Sequence, residues 1–239
     1  MSTIALPSRE VPAPTLIAPV WHTAALIALF LLLTLAGAFF QKAATAQPGM
    51  VQHSGVIPLY VSTLVVEWGL VYYVWKGGLR RRGVRLRDLV GGRWSSPADV
   101  LRDLFLAAGI WGVWKLVQVG WDHWIGPEQA ASISPLLPRG PAEILLWVLV
   151  SITAGICEEV VFRGYFLRQF TAFTRNRGAG LALQAALFGI AHGYQGTAAC
   201  ARIACYGLIF GGMALWRGSL RPGIFAHAGS DILSGIFRF

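Results

Sequence analysis

Charge is what this sequence has least of. Only 13% of its 239 residues are Asp, Glu, Lys or Arg, whereas 55% are hydrophobic. A soluble domain carries about 25% charge, so a soluble globular chain is excluded and a polytopic membrane protein is expected. Acidic residues are the scarcer sign, 11 against 20 basic, which leaves a net charge of +9. Cysteine is scarce too. Cys157, Cys200 and Cys205 are odd in number, lack paired spacing and fall in or near apolar stretches. That pattern gives neither a disulfide framework nor a thiolate zinc site. HExxH, internal repeats and low-complexity tracts are all missing. At about 20 residues per span the chain has room for about seven spans and none for a separate soluble domain.

Apolar runs are what remains. Residues 1–20 hold four prolines and little charge and form an expected cytoplasmic arm. Spans are expected over 21–40, 56–75, 99–120, 141–167, 179–194, 198–216 and 222–237. The fold class is all-α, a transmembrane helix bundle of about seven spans within a range of six to eight. The chain divides into the arm, N-terminal helices over 21–140 and a catalytic core over 141–239. The first span is too long, and too weakly basic upstream, for an ordinary signal peptide, although Ala44-Thr45-Ala46 follows it as a small-residue site. Ser96-Pro97-Ala98-Asp99 predicts a helix start, with Ser as N-cap, Pro at the first position and an acid in the first turn. Gly189 and Gly193, and Gly207 and Gly211, form GxxxG pairs that permit close helix packing.

The basic residues fix an orientation. Arg9, Lys76, Arg80, Arg81, Arg82, Arg85, Arg87, Arg93, Arg102, Arg168, Arg175, Arg177, Arg217 and Arg221 make fourteen on one side. Lys42, Arg139 and Arg238 lie on the other. By the positive-inside rule the N-terminus is cytoplasmic, in the plasma (inner) membrane, and the C-terminus lies outside. Topology thus accounts for the net charge, and nucleic acid is not an expected partner. The arginines at 80–87 suit anionic headgroups. Trp21, Trp75, Trp121, Trp124 and Trp216 fall near span ends, as an aromatic belt would.

Few polar groups are left inside the spans. Lys115 and Arg202 are expected to snorkel outward, and Glu67 to pair with a neighbour on its own helix. The dense exception is Cys157-Glu158-Glu159-Val160-Val161-Phe162-Arg163. A charge at the bilayer centre costs roughly 2.5–3.5 kcal/mol on insertion scales. At about 100° per residue, Glu159 and Arg163 share a face, whereas Glu158 and Arg163 lie about 140° apart. Arg163 is therefore expected to neutralise Glu159, and Glu158 to find its partner on another helix. A cluster that only fixes helix packing is the plain alternative. Cys157, in a carboxylate-rich apolar helix, is expected to resist ionisation and to serve packing.

Two further sites carry chemistry. His192 follows Phe188 by one turn in the fifth span, and His227 and Asp231 share a face of the seventh. Ionisable groups in lipid face the bundle interior, so Glu158, His192, His227 and Asp231 should converge on a cavity open to the cytoplasm. Apolar surroundings disfavour an ionised carboxylate, which suits general acid–base work near neutral pH. Glu158 and His192 can hold and deprotonate a water, and His227 can stabilise an oxyanion. Asp231 can orient His227 or complete that site. Glu158, His192 and His227 are also a zinc-type ligand complement with an open position. The residues alone leave the glutamate and metal mechanisms open.

Glu158-Glu159-x-x-x-Arg163, Phe188-x-x-x-His192 and His227-x-x-x-Asp231, in this order on successive apolar spans, resemble the three motifs of the CPBP family of CAAX-processing (Rce1-like, "Abi") intramembrane proteases. The resemblance covers about residues 141–235. It implies that Glu158 and His192 activate the catalytic water, and that His227 with residue 231 forms the oxyanion site. Glu159, Arg163 and Phe188 would be supporting residues. The family's third motif commonly ends in Asn, and Asp231 departs from it. An acid there is a poorer donor unless protonated, and a better metal ligand. The family was long described as metalloproteases, and its eukaryotic prenyl-protein members as glutamate-dependent. The glutamate type is the favoured reading, with no cofactor, and zinc is the alternative.

The implied partner is a membrane-anchored protein or peptide, within the lipid bilayer. Two other classes remain beside the endopeptidase. A non-catalytic binding or immunity protein would have no need of three buried polar groups. A proton-coupled transporter would be expected to show inverted repeats.

Overall fold

The computed structural model describes residues 14–46, 56–126 and 136–237, with the side chains of 40–46 outside that description. Arg9, most of the N-terminal arm, the side chains of Lys42 and of the Ala44-Thr45-Ala46 site, and Arg238 lie outside the described residues. The described chain is all helical. Helix α1 spans Val20–Ala46, and α2 spans Ile57–Tyr73. A π-turn (Val74–Gly78), a 3-10 turn (Leu79–Arg82) and the short α3 (Leu86–Val90) follow. Then come α4 (Pro97–Trp124) and α5 (Pro141–Glu158). Helix α5 runs through a π-helical stretch, Glu159–Phe166, into α6 (Leu167–Thr174). The last three are α7 (Arg177–Ala191), α8 (Thr197–Arg217) and α9 (Arg221–Phe237).

A helix stands at each of the seven expected places. Four stretches are long and apolar enough to cross a membrane: Val20–Phe39, Ile57–Arg82, Pro141–Thr174 and Thr197–Arg217. The other three differ for separate reasons. Helix α4 has 28 residues but carries Asp99, Arg102, Asp103, Lys115 and Asp122. Helices α7 and α9 have 15 and 17 residues, short of the roughly 20 that span a hydrocarbon core. Leu32, Leu35, Phe39, Val65, Phe105, Leu116 and Leu145 are exposed on the outside of the bundle. An apolar exterior of this extent belongs in lipid. Trp21, Trp75, Trp124 and Trp216 are exposed near helix ends, where a belt would lie.

The expected start of α4 is present in full. The Asp99 N–H donates to Ser96 Oγ at 3.3 Å, the Ser96 N–H donates to Asp99 Oδ2 at 3.2 Å, and Pro97 opens the first turn. On the short α3 before it, Asp88 accepts from Arg85 Nε at 3.2 Å, which holds its carboxyl below the usual carboxylate range.

The centre of the molecule is the π-helical stretch. All eight residues of Glu159–Phe166 are buried. Phe162, Phe166 and Tyr165 interlock there with Leu26 and Phe30 of α1, Phe188 of α7 and Phe210 of α8. The expectation of a uniform α-helix needs correction here, because i→i+5 bonding widens each turn. Helix α1 is fastened to this centre by a polar chain. Gln169 Nε2 donates to Thr23 Oγ1 at 2.7 Å, and Thr23 Oγ1 lies 2.8 Å from Tyr165 Oη. Tyr165 Oη lies 2.8 Å from His22 Nδ1, and His22 Nε2 lies 3.1 Å from the Tyr73 carbonyl. A carbonyl only accepts, so Nε2 carries a proton. In the neutral ring Nδ1 then accepts from Tyr165, Tyr165 accepts from Thr23, and each link has one donor and one acceptor. The ring of His22 also stacks on Tyr73 at 4.2 Å. A Cβ at Gly78 would come within 2.9 Å of that ring, which is why the π-turn carries glycine at this point.

Asp103, fully buried in α4, had no role in the expected set. It accepts from Trp94 Nε1 at 2.9 Å and Arg217 Nε at 3.0 Å, and lies 3.8 Å from Arg221 Nη1. The Arg221 guanidinium also sits over the Trp94 ring at 4.6 Å and donates to the Gly92 carbonyl. Arg217 and Arg221, counted above only as topology signals, thus anchor the start of α9. Removing one partner of a buried pair leaves the other charge uncompensated, at about 3–5 kcal/mol. Asp103→Ala is expected to lose stability of that order, read as a fall in the thermal unfolding temperature in detergent. Arg85→Ala, which breaks an exposed pair, is expected to leave that temperature nearly unchanged.

Candidate active site

Helix α5 delivers Glu158 as its last residue, and the π-stretch begins with Glu159. As the spacing predicts, Arg163 Nη1 lies 3.2 Å from Glu159 Oε1, with both side chains fully buried. The same Glu159 Oε1 lies 3.1 Å from His227 Nδ1 on α9. A carboxylate accepts, so Nδ1 carries the proton and the Glu159 carboxylate fixes the ring. Arg163 holds Glu159, and Glu159 holds His227.

The far side of that ring faces two more acids. His227 Nε2 lies 3.7 Å from Glu158 Oε2 and 3.6 Å from Asp231 Oδ2. Glu158 therefore meets its partner on another helix, as expected. Asp231 faces Nε2 one turn along α9, and the hydrogen bond that orients His227 comes from Glu159 instead. Glu158 is 16% exposed at the side chain and Asp231 39%, against 7% for His227. The cluster is thus sealed at Glu159 and accessible at Asp231. Glu158 Oε2 is itself buried and has no hydrogen-bond partner among the described residues.

His192 stands apart from its expected setting. It is the C-cap of α7, just beyond the helix, and a 3-10 turn (Gly193–Gln195) follows it. Its Nδ1 lies 2.8 Å from the Phe188 carbonyl. That contact puts the proton on Nδ1 and leaves Nε2 as the acceptor in the neutral ring. Phe188 links the two histidines, with ring centres 4.8 Å from His192 and 6.4 Å from His227. The Arg163 guanidinium also lies 4.0 Å from the Phe188 ring centre. Phe188 thus supports the site through both its ring and its carbonyl. Among the described residues, no group of three His, Cys, Asp or Glu side chains is arranged to hold a metal ion.

Other expectations resolve locally. Arg202 lies 3.9 Å from Asp122, and Lys115 sits over the Trp111 ring at 5.8 Å. Cys157 is fully buried with a free thiol, in keeping with a packing role. The second GxxxG pair works as expected: a Cβ at Gly207 would lie 2.9 Å from Ala185 Cα. In the first pair, Gly189 faces the Cys200 carbonyl while Gly193 faces Thr34 of α1.

Two residues of the site escaped the sequence reading. Glu67 of α2 lies within electrostatic range of Glu158 and His227. The signal for it was present, since an ionisable residue inside an apolar span marks a functional site by default. Tyr206 of α8 packs its ring against His227 at 5.2 Å. Nothing in its local sequence marks it.

Fold and cluster together define an integral-membrane helical protein with a buried Glu-Glu-Arg unit clamped to a histidine. Residues 140–233 match the family model described as type II CAAX prenyl endopeptidase Rce1-like. No curated protein and no solved structure matches the chain. Over this stretch, which is less than half of the chain, the protein is similar to the CPBP/CAAX protease family.

Helices α5 and α9 cross where a Cβ at Gly155 would lie 2.8 Å from the Ala228 backbone nitrogen. Backbone cannot yield there as a flexible side chain would, so the helices must part. Gly155→Ala is expected to lengthen the Glu159–His227 contact and lower kcat by about 10²-fold, as small misplacements do. Helical content by circular dichroism should stay at the wild-type level.

Proposed function

We propose that this protein is an intramembrane endopeptidase that hydrolyses a peptide bond of a membrane-anchored substrate with water activated by Glu158 and His192. The observation that carries the reading is the buried, unpartnered Oε2 of Glu158, 3.7 Å from the Nε2 of a histidine whose other nitrogen is fixed by Glu159. Buried acceptors are normally satisfied, and a gap just beyond hydrogen-bond reach is one that water bridges. Glu158 takes a proton from that water as oxygen attacks the carbonyl carbon. His192, with Nε2 as acceptor, shares in orienting the water. When the C–N bond breaks, Glu158 returns the proton to the leaving amine. His227, carrying a second proton on Nε2, donates to the oxyanion, and the carboxylates of Glu158, Glu159 and Asp231 supply its counter-charge.

Asp231 is accessible enough to face the substrate. No cofactor enters this scheme, and zinc bound by Glu158, His192 and His227 is the competing one. The protein is proposed to lie in the plasma (inner) membrane with its N-terminus cytoplasmic, on the strength of the arginine-rich segment at 80–87, and to need no nucleic acid. The family description favours a prenylated CAAX protein as substrate.

The test is cleavage, in detergent, of a farnesylated CAAX reporter peptide and a set of transmembrane peptides. Glu158→Gln is expected to lower kcat by at least 10²-fold, the scale of general-base catalysis, while chelators leave the wild type unchanged. Activity lost to chelator and restored by zinc would transfer the reading to a metal. A Glu158→Gln protein with full biological activity would leave a binding protein in its place. Orientation is checked separately: a single cysteine placed in the 80–87 segment should react only with reagents on the cytoplasmic side.

A further inference from the structure

We propose that the Tyr206 hydroxyl is a catalytic hydrogen-bond donor to the oxyanion, a role that rests on the hydrolytic reading above. Tyr206 lies on α8, and its ring is fixed on several sides. It stacks on Phe210 at 3.8 Å and meets Trp114 edge-on at 4.9 Å and His227 edge-on at 5.2 Å. The residue is 6% exposed. Its hydroxyl is buried and has no hydrogen-bond partner among the described residues. A buried tyrosine hydroxyl normally finds a partner, so an orphan in a well-packed site is retained against a stability cost. Here the orphan lies within electrostatic range of Glu159, Asp231, Arg163 and Glu158, the groups that surround His227.

The donor inventory explains the need. An ionised Asp231 only accepts. His227 has committed its Nδ1 proton to Glu159, so it donates from Nε2 only while doubly protonated. Each time the neutral ring forms, the oxyanion would be left without a donor from either residue. Tyr206 O–H donates in both states. Tyr194, also close to these acids, has a hydroxyl that already accepts from Gln195 Nε2 at 3.0 Å and stands in the half-exposed turn after His192. The Tyr194 hydroxyl thus has a partner, and that of Tyr206 has none among the described residues. No covalent step is involved: the Tyr206 proton stays on its oxygen and the hydrogen bond strengthens as charge develops on the carbonyl oxygen.

Tyr206→Phe keeps the ring and removes only the orphan hydroxyl, so packing and catalysis separate. The assay compares wild type, Tyr206→Phe and Glu158→Gln on the peptides named above, with thermal unfolding of each protein. Loss of one oxyanion donor lowers kcat by about 10²–10³-fold. The expected result is a fall of that size with KM little changed and an unfolding temperature equal to or above wild type. Wild-type kcat in Tyr206→Phe, with Glu158→Gln inactive, would overturn this role alone. A fall in kcat that tracks a fall in unfolding temperature would also overturn it, making Tyr206 a packing residue. Activity retained in Glu158→Gln would overturn the hydrolytic reading itself.

Discussion

A single buried guanidinium sets the terms for the rest of this protein. Arg163 is fully enclosed, and none of its nitrogens makes a hydrogen bond among the described residues. Its charge is met by the Glu159 carboxylate at 3.2 Å and by the faces of Phe188, Tyr206 and Phe210 at 4.0, 5.6 and 5.8 Å. Desolvating two charges is recovered only with close geometry and further polar contacts, and aromatic faces are the contacts an apolar bundle has to offer. The π-stretch therefore has to remain in place, since α7 and α8 supply those rings. The same Glu159 oxygen that serves Arg163 serves His227, so the demand for charge balance and the placing of the histidine are one requirement.

This coupling explains where the sequence was informative. The pairing of Glu159 with Arg163 followed from an i, i+4 spacing, and the capping box at Ser96–Asp99 from residue types at fixed offsets. Both are local, and local geometry is what periodicity reports. The positions of the seven helices followed from apolar run length for the same reason. That Glu158 would look to another helix followed from elimination, because a carboxylate turned away from Arg163 in an apolar bundle has nothing to meet on its own; that His227 is the group it meets did not.

The remainder was out of reach for a physical reason. The π-helical turns depend on what packs around the stretch, and no residue type announces them. His192 lies at a C-cap because α7 stops at Ala191, three residues short of the expected end at 194. Asp103 was overlooked because its charged partners, Arg217 and Arg221, come from a segment more than a hundred residues away. Tyr206 looked like any aromatic residue of an apolar helix. Its distinction is the absence of a partner for its hydroxyl, and only a folded chain can have that property. Glu67 is the one miss with a sequence signal, an acid in an apolar span read as the start of a local pair.

The first two helices, which lie outside the family match, are bound into the site by these same polar links. Helix α1 reaches the π-stretch through His22, Thr23, Tyr165 and Gln169, in which every donor has an acceptor. Helix α2 closes that chain with the Tyr73 carbonyl and brings Glu67 toward Glu158 and His227. In lipid, helices gain little from apolar contact with one another, because hydrocarbon tails are as apolar as their side chains. Polar links and close glycine contacts must then decide how the helices stand. The histidine and acids of the site are accordingly not guests in a bundle held by other forces. Glu159, Arg163 and His227 are part of what assembles the bundle, which is why the same few residues carry both the fold's centre and the chemistry proposed for it.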